Sequence, residues 1–442
     1  MNAPNPRSAG PWPTTPLATN ARDVAIQRFR IEVVSGPNRG QSAIADVDEL
    51  SLGTAPTNHL VLTDPSVSRH HLTIAATPDG FQLRDLGSHS GTLLAGYRVE
   101  VAYIDSGALI QAGETTVRFD ALDERLSQPL SPSGRFGGLL GQSAAMRRLF
   151  AQLEASAAGD TTILLEGEPG TGKSALAEAI HRQSGRAAGP FAAVDCSAVA
   201  PALLESELFG HERGAFTGAE EQRVGALGMA DGGTLFLDEI GELGPELQAK
   251  LVRALETRQV RRIGSVEPVP VNVRVIASTS RDLRHEVNAG AFRTDLLLLL
   301  SGARLAVPPL RERREDIPLL AAHFYQEALG RAAGDPPEDI VASLCRQPWP
   351  GNVRELRDAV ERAAVIDASE SAASQGSWPA LDFTISFRES KEGALAVWTR
   401  VYVRELVDRY GGNLSRAARA VSMDRNHLRD LLHKYAMNSE QP

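Results

Sequence analysis

The chain has 442 residues, 42% hydrophobic and 23% charged, with a net charge of −9. That length exceeds what one hydrophobic core spans and points to about three domains. The acidic balance argues against a protein that coats nucleic acid, while leaving room for a local basic module. No stretch approaches the roughly 18 uninterrupted apolar residues of a membrane span; the densest run, Leu296–Leu300, is far shorter. The two cysteines, Cys196 and Cys345, lack metal-ligand spacing. They read as buried thiols in a reducing, cytoplasmic setting with no membrane partner.

Residues 1–23 are rich in Pro, Asn, Ser and Thr and lack the apolar core of a secretory signal, so they read as a disordered tail. Residues 24–120 hold short β-type runs: FRIEVV, HLTIAA, FQLRDL and TTVRF. Pro78-Asp79-Gly80 reads as a hairpin turn between two of them, and the region as an all-β sandwich. Residues 121–136, with Pro, Ser and Gly, read as a linker. Residues 137–308 alternate buried-type strands (TTILLE, TLFL, VRVIAS) with helical patterns, which predicts a parallel α/β sheet. Residues 309–365 predict an all-helical lid, 366–387 a second linker, and 388–442 a helical, locally basic end.

The run Gly167-Glu168-Pro169-Gly170-Thr171-Gly172-Lys173-Ser174 matches G-x-x-x-x-G-K-[ST] between a strand and a helix. Its glycines let backbone N–H groups approach phosphate oxygens, and the helix N-terminus favours the anion. Lys173 is the candidate for neutralising the β- and γ-phosphates of ATP, and Ser174 for ligating Mg2+. The strand TLFL ends in Asp238-Glu239. Asp238 is the second candidate Mg2+ residue, and Glu239 the candidate that orients and activates the attacking water. Between these motifs lies Gly214-Ala215-Phe216-Thr217-Gly218-Ala219, with one aromatic between glycines and no apolar periodicity. It reads as an exposed tip.

At the C-terminus, Gly411-Gly412 and an Asn413 cap open a short helix. A break at Val421-Ser422-Met423 and an Asp424 cap precede a second. Leu428, Leu431 and Leu432 recur at helical spacing and predict the core face. Arg425, Asn426, His427 and Arg429 then project from the N-terminal part, where helix-turn-helix proteins contact base edges. Residues 409–434 carry six Lys or Arg against two Asp.

The runs PFAAVDC, ESELFGHERGAFTGA, GGTLFLDEIGEL, QAKLVRALE, VRVIAST, PPLRERREDIP and WPGNVREL resemble the signatures of sigma-54-dependent transcription activators over residues 137–365. The resemblance implies an AAA+ ATPase subdomain at 137–308 with its lid at 309–365. It implies that Gly214–Ala219 touch sigma-54. It makes Arg354 the residue that reads the nucleotide from the lid, and Arg293 the arginine that faces a neighbouring subunit's ATP. The implied assembly is a homo-oligomer, from dimer to hexameric or heptameric ring. Three positions depart from the family pattern. Asp195 stands where an asparagine restrains the catalytic glutamate, Ser280 replaces the asparagine after the fourth strand, and Leu299 replaces a second trans-acting arginine.

The runs DPSVSRHHLTI and DLGSHSGTLLAGYRV resemble an FHA domain, a phosphothreonine-binding module. By that resemblance Ser68, Arg69, His89 and Ser90 would contact the phosphopeptide, and His71 would be structural. The family's phosphate-gripping arginine is Thr54 here, and Ser90 and Ala95 replace asparagines. Phosphothreonine capture and a sandwich kept for protein contact are both open readings. The C-terminal segment resembles a Fis-type helix-turn-helix, and helix 391–409 by the same likeness supplies a dimer surface. No receiver-type domain is read, so the implied input is a phosphothreonine protein or a Ser/Thr kinase.

These readings combine into a multidomain ATP-dependent activator. It binds double-stranded DNA upstream of a promoter and remodels sigma-54 RNA polymerase. Thr54, Ser280 and Leu299 motivate the alternative, a DNA-binding adaptor or repressor that binds nucleotide and hydrolyses it poorly.

Overall fold

The structure, a computed structural model, describes residues 23–45, 48–77, 79–198, 200–330, 334–375, 386–411, 413–421 and 423–436. Of the tail anticipated at 1–23, residues 1–22 lie outside the described residues, as do Pro78, residues 376–385, Gly412, Ser422 and residues 437–442, while Asp23 opens the first strand. The chain divides into two compact units: Met1–Ala322 with Pro337–Arg357, and His323–Pro336 with Asp358–Pro442.

The first unit opens with eleven strands: β1 (Asp23–Ser35), β2 (Ser42–Ile44), β3 (Glu49–Gly53), β4 (Leu60–Val61), β5 (Leu72–Thr77), β6 (Gly80–Asp85), β7 (Thr92–Leu94), β8 (Tyr97–Val99), β9 (Val101–Ile104), β10 (Leu109–Ala112) and β11 (Thr115–Pro129). They form two sheets, ordered β2-β1-β11-β10-β7-β8 and β4-β3-β5-β6-β9. The pleat sends Phe29, Ile31 and Val33 inward and leaves Arg30 and Glu32 on the other face. Phe29, Phe81 and Phe119 meet in the core with ring centroids 4.9–5.5 Å apart. Such aromatic pairs add about 0.5–1.5 kcal/mol each beyond buried area.

The segment expected to link the sandwich onward is ordered. β11 continues to Pro129 and pairs with β1 as far as Asp23. Residues 130–136 then pack on α1 (Ala144–Ala157), where Ser131 accepts from the Arg147 side chain at 2.8 Å and donates to Glu154 at 2.8 Å. Phe136 stacks on Phe150 at 6.1 Å. The Ser, Pro and Gly content read as a linker fits this tight path, because buried hydrogen bonds fix the turn residues.

After the small hairpin β12 (Arg135–Phe136) and β13 (Leu139–Leu140) comes a second core. It runs through β14 (Ile163–Glu166), α2 (Lys173–Arg182), β15 (Phe191–Asp195), α3 (Pro201–Phe209), β16 (Gly210–His211), β17 (Arg223–Val224), α4 (Ala226–Met229), β18 (Thr234–Asp238) and α5 (Pro245–Thr257). It continues through β19 (Gln259–Arg261), β20 (Pro268–Pro270), β21 (Arg274–Thr279), α6 (Leu283–Asn288), α7 (Thr294–Leu300) and β22 (Ala303–Ala306). Five strands pair in parallel, ordered β15-β18-β21-β14-β22. Every residue of central β21 is buried, as expected of a strand covered on both faces. In such sheets ligands collect at the carboxyl ends of the strands.

Helices follow: α8 (Ile317–Leu329), α9 (Glu338–Arg346) and α10 (Asn352–Gln375). α10 runs ten residues past the point where a linker was expected, at 366; the run DASESAASQ contains no Pro or Gly to stop it. In the second unit, α11 (Phe387–Arg409), α12 (Leu414–Ala420) and α13 (Arg425–Ala436) pack around Val403, Leu406, Ala417, Ala418 and Leu428. Leu431 and Leu432 line that core, as their spacing predicts. Among the described residues no helix is long and apolar enough to cross a membrane.

Candidate functional site

The carboxyl ends of β14, β18 and β21 bring together residues far apart in sequence. The loop from Gly167 leaves β14 and enters α2, with Gly170 and Gly172 at positive φ of 77° and 106°. A side chain at Gly170 would run into the main-chain oxygen of Gly351, so glycine is required by close approach. Among the described residues nothing lies within 4 Å of a Cβ at Gly172.

Lys173 is buried, with 5% of its side chain exposed. Its ammonium donates to the Gly167 oxygen at 2.8 Å and lies 3.0 Å from Oε1 of Glu239. Ser174 donates to Asp238 Oδ2 at 2.8 Å. The first helical hydroxyl and the strand-end carboxylate therefore meet. Oδ1 of Asp238 takes a hydrogen bond from Ser278, whose hydroxyl accepts the Glu239 N–H at 3.2 Å.

Glu239 sits in the left-handed region at φ 50°. Such a conformation costs on the order of 1–3 kcal/mol in a residue with a side chain, and persists where surroundings fix it. Here they do. Oε2 accepts both the N–H and the hydroxyl of Ser280, at 2.8 and 2.7 Å. Burial pushes the carboxyl upward in pKa, but the Ser280 bonds and Lys173 outweigh burial and hold it below its ordinary value. Glu239 is thus ionised and oriented, with one oxygen on Ser280 and the other on Lys173.

Asp195 does not restrain the glutamate. Its Oδ1 accepts from the N–H and hydroxyl of Ser197, at 2.9 and 2.6 Å. The restraint comes from Ser280, whose short reach suffices because its own backbone N–H joins the grip. Cys196 is buried next to this group. Burial, with Asp195, Asp238 and Glu239 nearby, pushes its thiol up to about 12. Cys345 is half-buried.

A second grip on the loop was not read from the sequence. Arg311 pairs both nitrogens with Glu168 at 2.6 and 2.7 Å. Asn352 donates to Glu168 and to the Pro169 oxygen at 3.2 and 3.0 Å, and Arg313, buried, donates to the Thr171 oxygen at 2.9 Å. The Arg311 bonds, against a smaller effect of burial, hold Glu168 below its usual carboxylate value. The Arg354 N–H donates to Gly170 at 3.2 Å and its side chain is exposed, which puts the guanidinium's stem beside the loop. The run PPLRERRED holds three arginines, and two of them, Arg311 and Arg313, carry the contacts.

These residues suit a nucleoside triphosphate with Mg2+. Among the described residues no three His, Cys, Asp or Glu side chains gather as a metal site. One hydroxyl and one carboxylate are what Mg2+ takes when it shares its shell with phosphates and water.

Arg293 caps α7 from an exposed position, its guanidinium held by Asp295 at 2.7 and 3.0 Å. Leu299 packs half-buried against the core and Leu298 is exposed, while Leu296, Leu297 and Leu300 are buried. The Gly214–Ala219 tip lies between β16 and β17. It is closed by Gly214 N–H to the Ala219 oxygen at 2.8 Å. Phe216 is 41% exposed and meets the His211 ring edge-on at 5.0 Å. Glu212 at its base pairs with Arg262 at 2.9 Å, next to the β19–β20 hairpin.

In the sandwich, Ser68 accepts the His89 N–H at 2.8 Å, and Ser90 donates to the Ser66 oxygen at 2.9 Å. Ser68, His89 and Ser90 therefore come together at the strand ends. Arg69 instead reaches Thr294, 3.2 Å away. His71 is fully buried. Arg425, Asn426, His427 and Arg429 are all exposed on α13, capped by Asp424 at 2.8 Å from the Asn426 N–H.

Sequence comparison agrees with the geometry. Residues 139–306 match the sequence model of the sigma-54 interaction domain, and residues 311–376 that of an AAA+ ATPase lid domain. Residues 32–123 match the model of the cytoplasmic domain of an inner membrane component of the T3SS. The transcriptional regulatory protein ZraR of Escherichia coli (strain K12) is 43% identical over 297 residues, 66% of this chain and 67% of its own. ZraR of Klebsiella oxytoca is 41% identical over 330 residues, 70% of this chain and 74% of its own. The crystal structure of NtrX from Brucella abortus in complex with ATP is 36% identical, covers 69% of this chain and 70% of its own, and gives a TM-score of 0.48. With the nucleotide loop, the acid pair and the exposed tip arranged as described, and relatives of this identity matched over two thirds of their length, the chain belongs to the sigma-54-dependent transcriptional activators.

Proposed function

We propose that the protein is an ATP-driven transcription activator that assembles on upstream DNA and moves the Gly214–Ala219 tip against sigma-54 RNA polymerase. The observation that carries this is the run of chain from the Asp238 end of the sheet to the tip. Asp195, last residue of β15, pairs in register with Asp238, and the Cys196 N–H donates to the Asp238 oxygen at 2.9 Å. α3 starts a few residues later and ends at Phe209, directly before β16 and the tip.

Lys173 and Ser174 would hold the phosphates and Mg2+, with Asp238 completing the metal's protein oxygens. Bound ATP supplies a phosphoryl group whose transfer to water needs charge neutralisation and a positioned base. A phosphate in the loop competes with Glu239 for the Lys173 ammonium. Loss of that pair leaves Oε1 free to accept a proton from water, while Ser280 keeps Oε2 in place. Arg293 of a neighbouring subunit would stabilise the transferring charge, a contribution on the order of 10³–10⁵ in turnover. Arg354 would sense the nucleotide from the lid side.

The exposed row Arg425, Asn426, His427 and Arg429 would enter the major groove, with α12 and α13 as the helix-turn-helix. Trp398 stacks on Tyr402 at 4.9 Å and stays exposed together with Leu395. This apolar strip on α11 would form the dimer face. The sandwich would receive the signal, through a phosphothreonine at Ser68, Arg69, His89 and Ser90. A second reading, a plain protein-contact module, is favoured by Thr54 and by the match to a T3SS cytoplasmic domain.

Phe216→Ala tests the output. ATP hydrolysis should stay within about twofold of wild type, since Phe216 sits exposed on the tip between β16 and β17, while sigma-54-dependent open-complex formation is lost. Parallel loss of both would make the tip a structural part of the ATPase.

A further inference from the structure

The strand-end loops of the sandwich rest on the ATPase part of the same compact unit. The contact is α6. The Asn288 amide nitrogen donates to the main-chain oxygens of His70 and Leu86, the latter at 2.9 Å, and its oxygen accepts the His70 N–H at 3.3 Å. One amide thus clips two loops. Arg284, with 9% of its side chain exposed, pairs with Glu49 at 2.7 Å. Gly87, at φ 67°, stands where a Cβ would come within 2.5 Å of the His285 ring. Arg69 donates to the Thr294 hydroxyl at 3.2 Å, and Thr294 follows Arg293 in the chain. The ordered strand β11 and the packed residues 130–136 hold the sandwich in this position.

We propose that this loop face is a docking surface for the α6–α7 segment of its own ATPase domain, and that a phosphothreonine ligand displaces the segment because both need Arg69. The ligand half rests on the phosphothreonine reading above; the docking half does not. Arg69 now makes one bond to a neutral hydroxyl. A phosphate dianion offers an opposite charge that can accept two parallel N–H bonds from the guanidinium, against the one neutral acceptor on Thr294. The segment released from the sandwich carries Arg293 while α6 and α7 stay packed in the ATPase core, so release opens the face beside that arginine to a neighbour. A ligand shifts such an equilibrium only through its preference for one state, and here the shared guanidinium supplies that preference.

The test uses the full chain, hydrogen exchange at the amides of residues 283–295, and sedimentation with ATP and Mg2+. Asn288→Ala combined with Glu49→Gln should raise exchange in α6 at least about tenfold and move half-maximal assembly to lower protein concentration. Glu49→Arg should do the same, and adding Arg284→Glu should reverse it, which separates undocking from misfolding. A randomised phosphothreonine peptide pool should raise α6 exchange in the wild type and not in Arg69→Ala. The unphosphorylated pool should have no effect. Undocking seen by exchange with assembly unchanged would overturn the proposal. So would phosphopeptide binding that leaves α6 protected. Undocking that advances assembly, with no binding of the phosphothreonine pool, would uphold the docking surface and overturn its ligand; that outcome is the failure of the phosphothreonine reading.

Discussion

Ser280 looked like a weakness in the sequence, a short hydroxyl where the family has an amide. In the structure it grips Glu239 twice, through its hydroxyl and its own N–H. Ser280→Ala removes one of those bonds without touching the phosphate loop. Turnover should fall by about tenfold or more with KM for ATP little changed, because a mispositioned base slows the chemical step and not binding. Ser280→Asn should restore it. A normal rate in Ser280→Ala would assign the restraint elsewhere. His70 offers a pH test. It is buried against α6 with Nδ1 3.2 Å from the Asn58 side-chain oxygen. Burial first, then Arg284 and Arg304, lower its pKa from 6.5 to about 4. The unfolded chain therefore binds this proton before the native one does. The stability from keeping His70 neutral is complete above about pH 6.5 and is lost progressively down to about pH 4. His59, His71 and His181 are lowered in the same direction, each mainly by burial. Denaturant titrations of His70→Gln should show a shallower loss between those pH values than wild type. Identical slopes would contradict a neutral buried His70.

At the level of elements, legibility followed periodicity. The parallel strands were visible as apolar runs because both faces are buried. The sandwich strands were visible because inward and outward residues alternate. Leu428, Leu431 and Leu432 marked the inner face of α13, and the exposed row opposite them carries the next prediction. Arg425→Ala with Arg429→Ala should weaken DNA binding and reduce the steepness of its log–log salt dependence by about 1–2. Unchanged affinity and slope would place the DNA face on another element. What sequence could not show was which side chains meet across elements. Nothing in the spacing of Arg311, Arg313 and Asn352 says that they clamp the Gly167–Ser174 loop. Nothing near Asn288 says that it clips two loops of the sandwich, over 200 residues away. The segment 121–136 misled for a related reason. Its composition suits a linker, and only pairing with β1 and packing on α1 make it ordered.

For the whole molecule, the proposed function needs a connection from the sandwich through the ATPase to the tip. The sandwich holds α6 and the start of α7, α7 begins beside Arg293, and β15 and α3 run from the Asp238-Glu239 end of the sheet to the Phe216 tip. Arg293 is the one arginine in the segment 292–300, and it is exposed and paired with Asp295 of its own subunit. On the proposed reading the trans-acting role would fall on it alone, and activity would then depend on assembly. The most direct measurement is ATP turnover per subunit against protein concentration, run beside Lys173→Ala and Glu239→Gln. The account predicts a steep rise with concentration that both variants abolish. Turnover per subunit that is independent of concentration, or no turnover at any concentration with nucleotide and DNA binding intact, would contradict it.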